Sequence, residues 1–370
     1  VGRPSRALEV LVSVRIFISG NAGYVGDVLV GHLQTVLPRA DIIGFDSGLF
    51  LPTAGRSNAR SDAARAPNRQ LFGDVRDLTA ADLRDVDAVV CLSAISNDPM
   101  GNRFAAATDA INHAAAVRLA GLAREAGVRH FVFASSCSVY GAAGEAPRRE
   151  TDPVNPLTAY ARSKIAAEQD LAASDLGDMT VTCLRFATAC GLSNRLRLDL
   201  VLNDFVAGAI AERSITVLSD GTPWRPLIDV ADMARAIEWA ISRGGERFLI
   251  VNTGADHWNF QVSDLAEAVA AEIPGTAVSI NRMAPPDRRS YRVDFSRFAS
   301  LAPDHQPITT LSLSIRRLRD GLIGIGFADA NFRHSPLMRL NMLTAHLAAG
   351  RLDQDLCWVP RRHVAGAATR

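Results

Sequence analysis

Ser19-Gly20-Asn21-Ala22-Gly23-Tyr24-Val25-Gly26 follows a short apolar run, Val14-Arg15-Ile16-Phe17-Ile18, and opens a helical stretch. Glycines at that spacing, between a strand and a helix, constrain the fold more than any other feature of the chain. Glycine admits backbone dihedrals closed to other residues and lets the main chain approach a bound group closely. The helix that follows turns its first amides toward negative charge. This predicts the opening strand-turn-helix of an α/β sheet, with a dinucleotide diphosphate held by Gly20, Asn21, Ala22, Gly23, Tyr24, Val25 and Gly26.

The rest of the first half keeps the same rhythm. β-branched runs at 14–19, 41–45, 88–93, 130–135 and 180–185 alternate with alanine-rich helical stretches at 24–36, 104–126 and 158–174. Apolar strands joined by helices predict an α/β, doubly wound (Rossmann-type) parallel sheet covered on both faces. After Arg185 the pattern turns irregular, with Ser219-Asp220-Gly221-Thr222-Pro223 as a turn and helices expected at 232–242 and 262–272. The expected division is a nucleotide-binding domain over 12–186, with some later segments returning to it. A smaller mixed α/β substrate-binding lobe follows over 187–335, then a C-terminal helix and a polar, frayed tail over 336–370.

Composition removes several classes of function. Forty Lys and Arg balance 39 Asp and Glu, and no basic stripe with interleaved aromatics points to nucleic acid. The five cysteines, Cys91, Cys137, Cys183, Cys190 and Cys357, contain no C-x-x-C pair, so neither a disulfide framework nor a zinc site is expected. The eight histidines form no H-x-x-x-H arrangement, and no metal is expected. No stretch reaches the length of a membrane span. The basic and apolar start over 1–13 is like a secretory leader only superficially, because residues 14–18 run straight into the glycine turn. A reducing cytoplasm fits these features.

Polar residues at strand ends suggest how a ligand would be held. Asp46, closing Ile42-Ile43-Gly44-Phe45-Asp46, can accept both adenosine ribose hydroxyls and repel a 2′-phosphate, which favours NAD over NADP; a turn-capping aspartate is the alternative. Asp74, beside Val75 in Gly73-Asp74-Val75-Arg76-Asp77, can accept from an adenine amino group or cap the next turn. Leu92-Ser93-Ala94-Ile95-Ser96 ends a strand in small residues against which a cofactor could lie. Tyr160 and Lys164, four residues apart, share one face of a helix. A lysine there favours the phenolate and would lower the tyrosine pKa.

Together these motifs resemble the extended short-chain dehydrogenase/reductases of the nucleotide-sugar epimerase and dehydratase kind. The resemblance runs in register from Gly20 to about Ser300. It rests on the glycine turn, Gly73-Asp74-Val75-Arg76-Asp77 and Ser135-Ser136-x-x-Val139-Tyr140-Gly141. It rests equally on Asn155-Pro156-x-x-x-Tyr160-x-x-x-Lys164 and Arg225-Pro226-Leu227-Ile228-Asp229-Val230-x-Asp232. The resemblance implies tightly bound NAD, with Tyr160 as acid/base, Lys164 on the nicotinamide ribose and Ser136 bonding the reacting oxygen. It places Ser135 and Asn112 at the cofactor, although Asn112 is as readily a buried helix-bonding amide. A nucleoside-diphosphate sugar would meet Ser96, Ser136, Cys137, Ser138, Asn203 and Arg225. Ala284 stands where an arginine is usual before Pro285-Pro286-Asp287, and Arg289 or Arg292 could substitute. Pairing of alanine-rich helices implies a homodimer.

The same resemblance bears on the reaction. Dehydratases of this kind carry an Asp-Glu pair where Cys137 and Ser138 stand here, and neither replacement suits acid/base elimination. The small polar pair is more like that of 4-epimerases, which pass through a transient 4-keto sugar. Alternatives are a nucleotide-ketosugar reductase or dehydrogenase, a dehydratase and, last, a non-catalytic nucleotide sensor. Thr188-Ala189-Cys190-Gly191-Leu192 replaces the family's V-Y-G-P and drops a tyrosine near the substrate.

Overall fold

The computed structural model describes residues 14–51, 66–144, 146–284 and 289–360. The expectations for residues 1–13, Pro285-Pro286-Asp287 and the last ten residues lie outside this set.

The strands are β1 Arg15–Ser19, β2 Asp41–Asp46, β3 Arg69–Phe72, β4 Ala88–Cys91, β5 His130–Ser136 and β6 Thr180–Phe186. They continue with β7 Thr188–Cys190, β8 Ser214–Val217, β9 Trp224–Asp229, β10 Phe248–Thr253, β11 Asn259–Gln261 and β12 Ala277–Ile280. Among the helices, α1 is Tyr24–Val36, α2 Asp98–Arg103, α3 Ala105–Asp109, α4 Ala115–Glu125 and α5 Ala159–Ala173. The second half adds α6 Val201–Ala211, α7 Val230–Ala240, α8 Val262–Glu272, α9 Ser296–Leu301, α10 Leu311–Gly324 and α11 Arg339–Ala348.

A seven-stranded sheet runs β10-β6-β5-β4-β1-β2-β3, with every pairing parallel. Strand alternation divides its apolar side chains between two cores. Ile16 and Ile18 pack with α1 and α7 on one face, while Phe17 packs with α4, α5 and α11 on the other. This is the doubly wound fold. A separate core lies among α6, α8 and α10, where Val206, Leu265, Val269, Ile315 and Leu318 meet beside the sheets β11-β9-β7 and β12-β8.

Differences from the sequence reading have local causes. β3 opens on Arg69-Gln70 and ends on an exposed Phe72, so it lacks the apolar signature of a central strand and lies at the sheet edge. β10 comes from the irregular half yet pairs with β6 in the main sheet. The helix expected over 104–126 starts one residue late, at Ala105, because Phe104 has a non-helical backbone (φ −119°, ψ 52°) that separates it from α2 while its ring is buried in the core. A widened π turn over Ala110–Ala114 separates α3 from α4; such turns often mark functional sites.

Candidate active site

β1 has β2 on one side and β4 on the other, so the chain winds away from it in both directions. Ligands of doubly wound sheets bind in the crevice at that reversal, beyond the carboxyl ends of the strands. A cleft of about 670 Å³ opens there, bounded by Gly20, Gly23, Tyr24, Val25 and Gly26. Gly20 has φ +81°, and a Cβ on it would stand 2.7 Å from Leu92 C and Ser93 N. At Gly26 a Cβ would come within 2.5 Å of Asn21 Cα. The close meeting of β1, α1 and the end of β4 thus requires glycine at both positions.

Asp46, Asp74, Val75, Leu92, Ser93, Ala94 and Ser96 all border the same cleft. The Asp46 carboxylate accepts N–H groups from Ala22 (3.1 Å) and Gly48 (2.8 Å). Burial pushes its carboxyl up, and the two amides pull it back. Asp74 takes the capping role, accepting Arg76 N–H at 2.9 Å and gripping the Arg76 guanidinium at 2.8 and 2.6 Å.

Opposite the glycine turn, Thr158 caps α5 by accepting the Ala161 N–H at 3.2 Å, and this sets the register of the catalytic candidates. Tyr160 and Lys164 then lie one turn apart, and Ser135, Ser136 and Ser138 face them from the end of β5 and the turn after it. The Lys164 ammonium donates to Ala134 O at 2.7 Å, 4.5 Å from the Phe133 ring centroid and 5.8 Å from that of Tyr160. One expectation is corrected here. Burial outweighs the Ser136 hydroxyl beside it and pushes the Tyr160 phenol up to about 12. Burial likewise pulls Lys164 down to about 8. Desolvation penalises the charged form of each group and outweighs the help a neighbouring ammonium gives the phenolate, so the tyrosine pKa stands above its ordinary value and not below it.

Beneath these residues the fully buried Glu168 accepts the Ser135 hydroxyl at 2.5 Å and pairs with Arg185 at 2.7 Å. Arg185 also donates to Tyr140 Oη at 3.0 Å, and Tyr140 in turn donates to Asn252 at 2.7 Å. The network ties β5, β6 and β10 below the cleft. Tyr140 belonged to a motif in the sequence, but Glu168 and Arg185 carried no signal of their own.

Several sequence candidates lie off the cleft. Asn21 turns its amide to Gln70 (2.7 Å), and the Ala22 N–H goes to Asp46. Asn112 is fully buried and bonds Ile95 through both N–H (2.8 Å) and C=O (3.0 Å), positioning the β4–α2 loop from below. Cys137 is fully buried with its thiol on Arg185 O at 3.0 Å, and burial raises its pKa well above the ordinary range. Asn203 is also fully buried, holding Gly191 N–H at 3.0 Å and Arg197 O at 2.9 Å. Each is polar at the right distance along the chain, but packing points it into the protein.

Arg225 and Arg289 do border the cleft. Arg225 donates to Trp224 O at 2.9 Å, and Arg289 pairs with Asp98 at 3.0 Å. Three further residues contribute to the wall, and two of them, Tyr291 and Arg339, were missed by the sequence reading. Arg197, paired with Asp199 at 2.9 Å, reaches across to Ser96 Oγ at 3.0 Å. Tyr291 brings a buried phenol to Thr188, two residues before Cys190, which stands where the resemblance implies a tyrosine. Arg339, the first residue of α11, is the third.

Comparison with known proteins decides what this cleft belongs to. The family model "NAD dependent epimerase/dehydratase family" matches residues 16–254. The chain belongs to that family. It is similar to a UDP-glucose 4-epimerase of Mycolicibacterium smegmatis, 30% identical over 66% of this chain and 78% of that one. A UDP-glucose 4-epimerase of Streptomyces lividans is 29% identical over 70% and 80%. Among solved structures, a UDP-glucose-4-epimerase from Stenotrophomonas maltophila with bound NAD shares the fold at TM-score 0.73, 23% identity, 85% of this chain and 100% of that one. MoeE5 in complex with UDP-glucose and NAD matches at 0.67, 25%, 83% and 97%. TunA, an NAD dependent NDP-hexosamine 5,6-dehydratase, shares the fold at 0.72, 22%, 86% and 100%.

This epimerase/dehydratase is an NAD-dependent enzyme. Its residues fit the dinucleotide: the glycine turn leaves no room for a Cβ at Gly20 or Gly26, and Asp46 presents a carboxylate at the end of β2.

Proposed function

We propose that this enzyme interconverts C4 epimers of a nucleoside-diphosphate sugar through a transient 4-keto sugar. The observation that carries the reading is the state of the acids around the cleft. Asp46 accepts backbone amides, Asp74 grips Arg76, Asp98 holds Thr158 (2.7 Å) and Arg289, Asp199 pairs with Arg197, and Asp204 pairs with Arg333 (2.9 Å). Every carboxylate among the described residues of the cleft wall is therefore engaged by a donor. Elimination of water from a sugar needs an uncommitted acid/base beside the site, whereas epimerisation needs only one proton exchanged at the C4 oxygen.

Tyr160 is the group for that proton. With its pKa near 12 it is protonated at neutral pH, the form that returns a proton to the C4 oxygen. In the forward step the charge on Lys164, still mostly protonated at pH 7 with a pKa about 8, favours the phenolate. Ser136 holds the sugar oxygen in line. The bound nicotinamide supplies a reversible hydride acceptor. Arg225 and Arg289, whose planar guanidinium groups suit phosphate oxygens, hold the nucleoside diphosphate between the lobes. UDP-sugars are the first substrates to test, because the named relatives act on them.

Proton NMR of UDP-, dTDP-, GDP- and CDP-hexoses incubated with the enzyme and NAD tests the reading, with absorbance at 340 nm followed alongside. A new C4 epimer without accumulating NADH is the expected result. A stable ketosugar or net NADH would overturn it in favour of a dehydratase or dehydrogenase.

A further inference from the structure

The chain does not leave the cleft when its substrate lobe is complete. Residues 338–358 fold back over the loops that carry Asp46 and Asp74. Leu343, Leu352 and Leu356 enter the core on the α4 face of the sheet. Trp358 donates its indole N–H to Ser47 O at 2.6 Å, and Arg76 donates to Asp355 O at 2.9 Å. Met338, Arg339 and Leu356 thereby become part of the cleft wall.

Arg339 stands out among these residues. It is 6% exposed, and its guanidinium lies 4.3 Å from the centroid of the Phe50 ring. It makes no hydrogen bond or ion pair with any described residue. Arg197 and Arg289, the other arginines the wall buries or half-buries with acids in reach, are paired with Asp199 and Asp98. The charges of Asp199 and Asp46 act on it, but neither carboxylate pairs with it; a buried guanidinium whose donors meet no acceptor is costly, and its fork of donors suits phosphate oxygens. Burial, reinforced by the charge of Arg197, pulls Arg339 down to about 9. Its stacking on Phe50 sets it beside the loop after β2, in the wall of the cleft that Gly20, Gly23 and Tyr24 also line, with Arg197, Asp199, Asp46 and Tyr24 as its electrostatic neighbours.

We propose that Arg339 pairs with the diphosphate of the bound dinucleotide, so that the C-terminal segment forms the outer wall of the cofactor site. The glycine turn and the first amides of α1 approach the diphosphate from one side. Arg339 approaches it from the other, stacked on Phe50 and carried by a segment tied down at Ser47 and Arg76. A 2′-phosphate is the other anion a dinucleotide could bring. The Asp46 carboxylate argues against it, because it would repel that charge.

Arg339→Met and Arg339→Lys test the proposal by binding rather than turnover. The whole chain, freed of nucleotide, is titrated calorimetrically with NADH, NADPH, ADP-ribose and adenosine, and folding is checked by thermal melting. Arg339→Met is expected to weaken NADH and ADP-ribose by roughly ten- to a hundredfold, the range for a hydrogen bond to a charged group. Adenosine, which lacks the diphosphate, keeps its affinity, and Arg339→Lys recovers part of the loss. Unchanged NADH affinity overturns the proposal. So does an equal loss for adenosine, which would make Arg339 a packing residue, or a loss confined to NADPH. If the methionine variant does not melt cooperatively, the same comparison of ADP-ribose with adenosine is made on Arg339→Lys, where an equal change for both overturns the proposal.

Discussion

Tyr160 and Lys164 are held by opposite demands. Burial keeps the phenol protonated and weakens the ammonium, yet the proposed reaction moves a proton through one and leans on the charge of the other. Removing only the phenolic oxygen separates binding from chemistry. Tyr160→Phe is expected to lower turnover by at least a hundredfold, the lower range for general acid/base catalysis, while NADH binding measured by fluorescence stays within about twofold. Undiminished turnover would remove Tyr160 from the mechanism. This pair was legible because a single helix turn fixes its geometry, and the same holds for Gly20 and Gly26, where the spacing itself is the constraint. Asn203 and Cys137 face away from the cleft, and Asn112 takes the buried bonding role that the sequence left open, for a common reason. A residue's place along the chain does not say which way its side chain faces, and in each case the main chain of another segment claimed the polar group. Arg339 could not be connected to the glycine turn by any local pattern, since more than three hundred residues separate them.

Between α3 and α5, His113 makes a two-sided clamp from the π turn, meeting Asp109 at 3.1 Å and Asp170 at 2.7 Å. Partial burial opposes its charge, but Asp170 and Asp109 together outweigh that and raise its pKa. A folded-state pKa above the unfolded value of about 6.5 stabilises the fold fully below that pH. The contribution is lost as pH rises through the folded pKa. Both acids are more than half exposed, so solvent screening limits the clamp to roughly 0.2–1 kcal/mol. Denaturant midpoints of the wild type and His113→Gln should therefore differ at pH 6 and converge by pH 9; a constant gap would mean the histidine acts through packing alone. The helices themselves were readable from alanine-rich runs. The non-helical backbone at Phe104 and the π turn were not, because both arise where the core takes an aromatic ring and where Asn112 reaches back to Ile95.

For the whole molecule, exposed Ala105, Ala106 and Ala114 leave α3 and the π turn with little side-chain bulk toward solvent, which permits another helix to approach closely. Light scattering is expected to give about twice the chain mass, and a value near one chain would exclude the homodimer. The doubly wound architecture was visible in the alternation of the first half. The irregular second half hid β10, because a strand's partner across a sheet lies far away along the chain. That late strand has a consequence for biosynthesis and for engineering. As the polypeptide leaves the ribosome, the edge of β6 stays open until residue 253 has been made, by which time β7, β8 and β9 have already emerged. The second halves of relatives therefore cannot be traded by one crossover near residue 186. A working chimaera must carry the cofactor half, β10 and the C-terminal segment together, as three pieces cut from one parent.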